Sequence, residues 1–114
     1  MLSGVSTSPR GLSRRLTQYG DEGFARFLRE TFLESAGLSK DAMDRPVVGI
    51  ASTASDFNPC HATAPELITA IHRGITMAGG LPFTFPTISL HESFAYPSSL
   101  ILRNLLAMDT EEML

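Results

Sequence analysis

One cysteine, Cys60, occurs in the 114 residues, in a polar loop that follows an apolar run: Val47-Val48-Gly49-Ile50-Ala51, then Ser52 to Asn58, then Pro59-Cys60-His61. A thiolate is a nucleophile and a soft metal ligand. Glu92 stands 32 positions later, closing Thr87-Ile88-Ser89-Leu90-His91-Glu92, and offers hard oxygen donors. A thiol and a carboxylate could share one site only if the intervening elements bring their loops together.

The intervening pattern predicts that they do. Val47 to Ala51 is short, partly β-branched and apolar on both faces, as in a parallel strand covered on both sides. Thr63-Ala64-Pro65-Glu66 has the spacing of a capping box, with proline in a first turn that has spare N–H groups, so a helix is expected to start near Ala64. Leu67, Ile68, Ile71, Ile75 and Ala78 give it an apolar stripe, and Gly79-Gly80 end it. Leu81, Phe83 and Phe85 then alternate with Pro82 and Thr84, which reads as a second strand. Pro82 and Pro86 restrict its hydrogen bonding to its ends. Strand, loop, helix and strand in this order close as a right-handed crossover with parallel strands. Both strands then end on one side of the sheet, where open α/β sheets collect their ligands. The fold class is α/β, an incomplete parallel sheet with flanking helices that begins a larger amino-terminal domain.

Several ordered stretches resemble the dihydroxy-acid and sugar-acid dehydratases, the family that includes phosphogluconate dehydratase. They are Pro46-Val47-Val48-Gly49-Ile50, Asn58-Pro59-Cys60, Ala78-Gly79-Gly80-Leu81-Pro82, Phe85-Pro86-Thr87-Ile88-Ser89-Leu90-His91-Glu92, Arg103-Asn104-Leu105 and Met108-Asp109-Thr110-Glu111-Glu112-Met113. Together they cover most of residues 46–114. By this resemblance Cys60 matches the first of three cysteine ligands of a 2Fe-2S cluster, a 4Fe-4S cluster being the less favoured alternative. Glu92 matches an acidic ligand of the neighbouring Mg2+. Neither residue is the acid or base; the catalytic base and the remaining ligands fall outside these residues. Pro86-Thr87-Ile88-Ser89-Leu90 looks closer to the sugar-acid branch, and the sequence departs from the family at Ser52, His61 and Thr63.

The implied reaction is removal of water from a 2,3-dihydroxy acid or sugar acid to give a 2-keto-3-deoxy acid. The resemblance also implies a small-molecule hydroxy-acid substrate and a homo-oligomeric parent protein, while the lack of a signal-like or membrane-spanning run and the lone cysteine lead to the expectation of a cytoplasmic location. On this reading residues 1–45 form an arm and a helix, and residues 46–114 are the first part of the cluster-binding α/β domain. The sequence is then an amino-terminal fragment, inactive in isolation.

The rest of the chain is read from its own residues. Residues 1–20, with Gly4, Gly11, Pro9, four serines and three arginines, read as an extended or mobile arm. Asp21 can cap a helix with Phe24, Phe27, Leu28 and Phe32 on one face, ended by Gly37, and the aromatic face suits core packing. Ser39 caps a short turn before Pro46. Pro97 suits a helix start before Leu100, Ile101, Leu105 and Leu106, and Asp109-Thr110-Glu111-Glu112 opens a further helix.

A net charge of −3 with scattered basic residues argues against a nucleic-acid binder, and no apolar run is long enough for a signal peptide or membrane span. A lone cysteine cannot form an internal disulfide. His61 and His91 flank Cys60 and Glu92, but no Cys or His pair has zinc-finger spacing, and His72 reads as exposed. The loop Ser52–Cys60 has no glycine, so it is neither a Rossmann nor a P-loop phosphate cradle. The alternative to a dehydratase is a small stand-alone α/β interaction module using a sheet edge or the Phe24/Phe27/Leu28 face.

Overall fold

The computed structural model describes residues 10–114, which contain three α-helices, two strands and several single-turn helices. Helix α1 is Glu22–Ser35, strand β1 Val47–Ser52, helix α2 Ala64–Met77, strand β2 Leu81–Pro86 and helix α3 Arg103–Met113. The strands form a two-stranded sheet. Leu81 N–H donates to Pro46 O at 2.8 Å and Thr87 N–H to Ser52 O at 2.9 Å. Both pairs are offset by 35 positions, so the strands run parallel in one register, as the crossover requires.

The helices begin and end for identifiable reasons. The Asp21 carboxylate accepts from Phe24 N–H at 2.9 Å, which caps α1. Its end is closed by Gly37 at φ +84°, where Leu38 N–H reaches back to Leu33 O at 2.9 Å. Helix α2 starts at the expected residue without the expected cap. Thr63 has φ −90° and ψ 2° and no side-chain cap bond. A capping side chain needs an extended backbone, whereas the turn Pro59–His61 runs through Ala62 almost directly into the helix. Gly79, at φ +87°, follows its last turn.

The described residues fall into two compact units, Val48–Ala78 with Pro82–Leu114, and the described part of Met1–Val47 with Gly79–Leu81. Within the latter, Leu16, Ala25, Leu33, Ala42, Met43 and Leu81 are buried.

Residues 10–20 correct the expectation of an arm, whose first nine residues lie outside the described part. Ser13 is buried, and its hydroxyl donates to Asp44 Oδ1 at 2.6 Å. The Arg29 guanidinium donates to the carbonyls of Leu12, Arg14 and Arg15 at 2.6, 2.8 and 3.2 Å. One planar fork thus satisfies three carbonyls that no helix or sheet would pair.

Three further expectations change. The aromatic face of α1 is not core: Phe24, Phe27 and Phe32 are 47%, 59% and 70% exposed, while Ala25 and Leu33 carry its burial. Nor is β1 covered on both sides, since Val47 and Val48 are exposed among the described residues. Finally, Asp109 does not open a new helix. With no glycine or proline between Arg103 and Met113, α3 runs through it unbroken.

Candidate functional site

The loop after β1 is built from local side-chain-to-backbone bonds. Ser52 Oγ accepts from Ala54 N–H at 3.3 Å, and Ser55 Oγ from Phe57 N–H at 3.1 Å, the serine turns that let a chain fold back without glycine. Pro59 then opens the single turn Pro59–His61, whose middle residue is Cys60. The Cys60 thiol is free and exposed.

The loop after β2 is joined to the first at several points. His91 N–H donates to Phe57 O at 2.8 Å, and the rings of Phe57 and Phe94 meet edge to face at 6.2 Å. Thr87 Oγ1 donates to Ser52 O at 3.1 Å. The Cys60 turn and the Glu92 turn therefore lie beyond the same ends of the parallel strands. Between them stands a polar knot: Asn58 Nδ2 lies 3.1 Å from Ser89 Oγ and 3.2 Å from His61 Nδ1, and His61 Nδ1 lies 3.1 Å from Thr53 O. Asn58 Oδ1 is buried with no partner.

Glu92 opens its own single turn, Glu92–Phe94, and its carboxylate reaches forward to the next one. Oε2 accepts from Ser99 N–H at 2.8 Å and from the Ser99 hydroxyl, at the start of the turn Ser99–Leu102 that leads into α3. A carboxylate at the start of a helical segment is favourably placed against its N–H groups. The Ser99 hydroxyl, then the Ser98 hydroxyl and Ser99 N–H, hold the Glu92 carboxyl below its ordinary pKa.

A carboxylate depressed in the folded state contributes stability above its ordinary pKa, and that contribution is lost as pH falls through the folded value. Ser99→Ala is accordingly expected to return the Glu92 carboxyl toward its ordinary pKa, seen as an upward move of its 13C titration midpoint. The same substitution should loosen the turn Ser99–Leu102, seen as faster amide exchange there.

Other charged groups lie elsewhere. Asp41 is likewise lowered, first by the Ser39 hydroxyl and then by Arg45, whose guanidinium donates to it at 2.5 Å. Ser39 therefore bonds the Asp41 carboxylate and does not cap the turn Lys40–Asp44 with its side chain. His72, read as exposed, is half-buried, and its Nε2 lies 2.5 Å from Thr84 Oγ1, tying α2 to β2. His91 Nδ1 accepts from Ser93 N–H at 3.2 Å.

Among the described residues no three of His, Cys, Asp and Glu gather as a metal site. What the residues offer is one donor of each kind. Cys60 presents a free, exposed thiol, and the Ser99 N–H and hydroxyl both bond Oε2 of Glu92, an arrangement that orients the carboxylate. That chemistry fits one corner of an iron–sulfur centre and one arm of a Mg2+ site. Sequence reasoning missed Asn58, Ser89 and Ser99 as site-building residues; the only signal was the Asn58-x-x-His61 spacing of a single turn.

Comparison with known proteins bears on the same stretch. The chain is 38% identical to L-arabonate dehydratase of Azospirillum brasilense over 94% of its own length and 18% of that protein. It is 38% identical to dihydroxy-acid dehydratase of Clostridium beijerinckii over 75% of its length and 16% of that protein. Against 6-deoxy-6-sulfo-D-gluconate dehydratase of Pseudomonas putida it is 37% identical over 77% of its length and 15% of that protein. It thus spans less than a fifth of the relatives it matches. Residues 45–114, which contain both strands, α2 and both site loops, match the family described as Dihydroxy-acid/6-phosphogluconate dehydratase N-terminal, and the chain belongs to that family.

Proposed function

We propose that this chain supplies the first wall of a hydro-lyase site that converts a 2,3-dihydroxy acid or sugar acid to a 2-keto-3-deoxy acid. In it Cys60 gives one thiolate to a 2Fe-2S cluster and Glu92 gives one carboxylate oxygen to Mg2+. The observation that carries this reading is the backbone bond from His91 N–H to Phe57 O at 2.8 Å, which joins the loop of the thiol to the loop of the carboxylate.

Dehydration removes a weakly acidic proton next to a carboxylate and expels hydroxide, a poor leaving group at neutral pH. Bound metals supply Lewis acidity toward both the developing enolate charge and the departing oxygen. This chain's residues do the positioning. The turn Pro59–His61 fixes Cys60, the two Ser99 bonds aim Glu92, and the knot of Asn58, His61 and Ser89 holds the two loops in one arrangement.

The reading is tested by grafting residues 45–114 into the Azospirillum brasilense L-arabonate dehydratase in place of its matching segment. A chimera purified without oxygen is expected to contain iron and acid-labile sulfide and to turn over arabonate. A folded chimera without iron would overturn the reading and leave the interaction module, which needs neither.

A further inference from the structure

The two strands present unlike outer edges. In a parallel pair, residues whose main-chain groups face the partner alternate with residues whose groups face away. Leu81 N–H donates to Pro46 O and Thr87 N–H to Ser52 O, so Leu81, Phe83, Phe85 and Thr87 face β1, while Val48, Ile50 and Ser52 face β2. The outer row of β2 is therefore Pro82, Thr84 and Pro86, and the two prolines carry no N–H. A row with a single donor cannot anchor another strand, and prolines in such a row mark the rim of a sheet. The outer row of β1 is Val47, Gly49 and Ala51. All three are exposed, and each carries both an N–H and a carbonyl.

The helices select the same edge. His72 Nε2 on α2 lies 2.5 Å from Thr84 Oγ1, so α2 lies on the face toward which Thr84 projects. Neighbouring side chains of a strand project to opposite faces, which sends Phe85 to the other one. A methyl group at Gly49 would stand 3.4 Å from Phe85 Cε1 and 3.9 Å from Leu114 Cδ2. Leu114, at the end of α3, thus lies over β1 on the face opposite α2. A connection that leaves β2 and recrosses the sheet on this face is right-handed only if the next parallel strand pairs beyond β1; pairing beyond β2 would make it left-handed.

The chain spans less than a fifth of the relatives it matches, so most of such a protein lies outside these residues and has to meet them. We propose that the outer edge of β1 receives a parallel strand from the remainder of a dehydratase, in the order β2, β1, new strand. Flanked by helices on both faces, that strand is a short, apolar, β-branched run. The neighbours of β1 are then reached over opposite faces, and ligand crevices of open α/β sheets form beyond the carboxyl end of such a strand. That is the end from which the Cys60 loop leaves. The loop after the new strand becomes the wall facing Cys60, so the rest of the site is brought in by backbone pairing along β1. The occupant's identity rests on the dehydratase reading; the choice of edge does not.

The test is residue-resolved amide hydrogen exchange on the dilute 114-residue chain and on the arabonate dehydratase chimera. In the dilute chain the amides of Gly49 and Ala51 are expected to exchange as freely as that of Thr84. In the chimera Gly49 and Ala51 are expected to slow by at least about 100-fold, since a paired strand opens only with its surroundings, while Thr84 stays fast. Slow exchange of Gly49 and Ala51 already in the dilute chain would show that the edge is not free and overturn the proposal. Unchanged exchange there in the chimera, protection of Thr84 instead, or protection that grows with chimera concentration, the mark of a second copy, would overturn it as well. Iron judges the dehydratase reading separately. An iron-loaded chimera with a fast-exchanging β1 edge refutes the strand alone, and a protected edge in an iron-free chimera refutes the cluster alone.

Discussion

Cys60→Ser in the arabonate dehydratase chimera is expected to lower turnover by at least about 100-fold, the upper end of what losing even a group that only supports a ligand costs. The chain has no second thiol to take its place. Serine has nearly the same shape, but its hydroxyl stays protonated at neutral pH and is a hard donor, whereas iron–sulfur centres select soft thiolates. The turn Pro59–His61 is held by its own proline, by His61 N–H to Asn58 O at 2.9 Å and by the Asn58 knot, so the substitution should change the ligand without moving the loop. Iron and sulfide per chain, visible absorbance and arabonate turnover should fall together while the melting temperature of the apoprotein stays put. Full iron content in the serine variant would remove Cys60 from the site.

Gly11→Ala should be the most damaging conservative change in the unit that contains α1. Gly11 has φ +54°, which side chains adopt only with strain, and a Cβ there would stand 2.1 Å from Arg45 O and 2.8 Å from Met43 O. Backbone strain and overpacking together cost about 3 kcal/mol or more. Among the described residues of this unit, the buried apolar side chains are Leu16, Ala25, Leu33, Ala42, Met43 and Leu81. The expected result is early loss of amide protection in α1 with the amides of α2 unaffected. Gly74→Ala is the control: it sits inside α2 with nothing within 4 Å of the added methyl, and should stabilise by up to about 1 kcal/mol. Equal stability of the two variants would contradict the close approach at Gly11.

The part of the fold that the sequence made legible is the part governed by local rules. A short apolar run, a helical stripe ended by glycine and an alternating run gave β1, α2 and β2 to within a residue, and chain handedness rules gave their parallel pairing. What was illegible depends on partners distant in sequence. The packing of residues 10–20 rests on Arg29 and Asp44, 14 to 31 positions away, and no periodicity announces such bonds. Thr63 has the right neighbours for a cap but the wrong backbone, and Asp109 has a helix-opening pattern in a helix already under way.

The site divides in the same manner. Cys60 and Glu92 were named from resemblance, and topology placed their loops together. Asn58, Ser89 and Ser99 emerged only from the coordinates, because an amide or hydroxyl gains a role from what faces it.

A sheet of two strands has no interior strand. Among the described residues β1 and β2 each therefore keep one side unpaired by another strand, the row of donors on β2 being broken by Pro82 and Pro86, and the valines at the start of β1 are exposed. Such rows are templates that accept any extended chain in register. Handled at high concentration without a strand to complete it, the 114-residue chain is liable to stack on its own copies, so its solution behaviour should depend on concentration well before it depends on temperature.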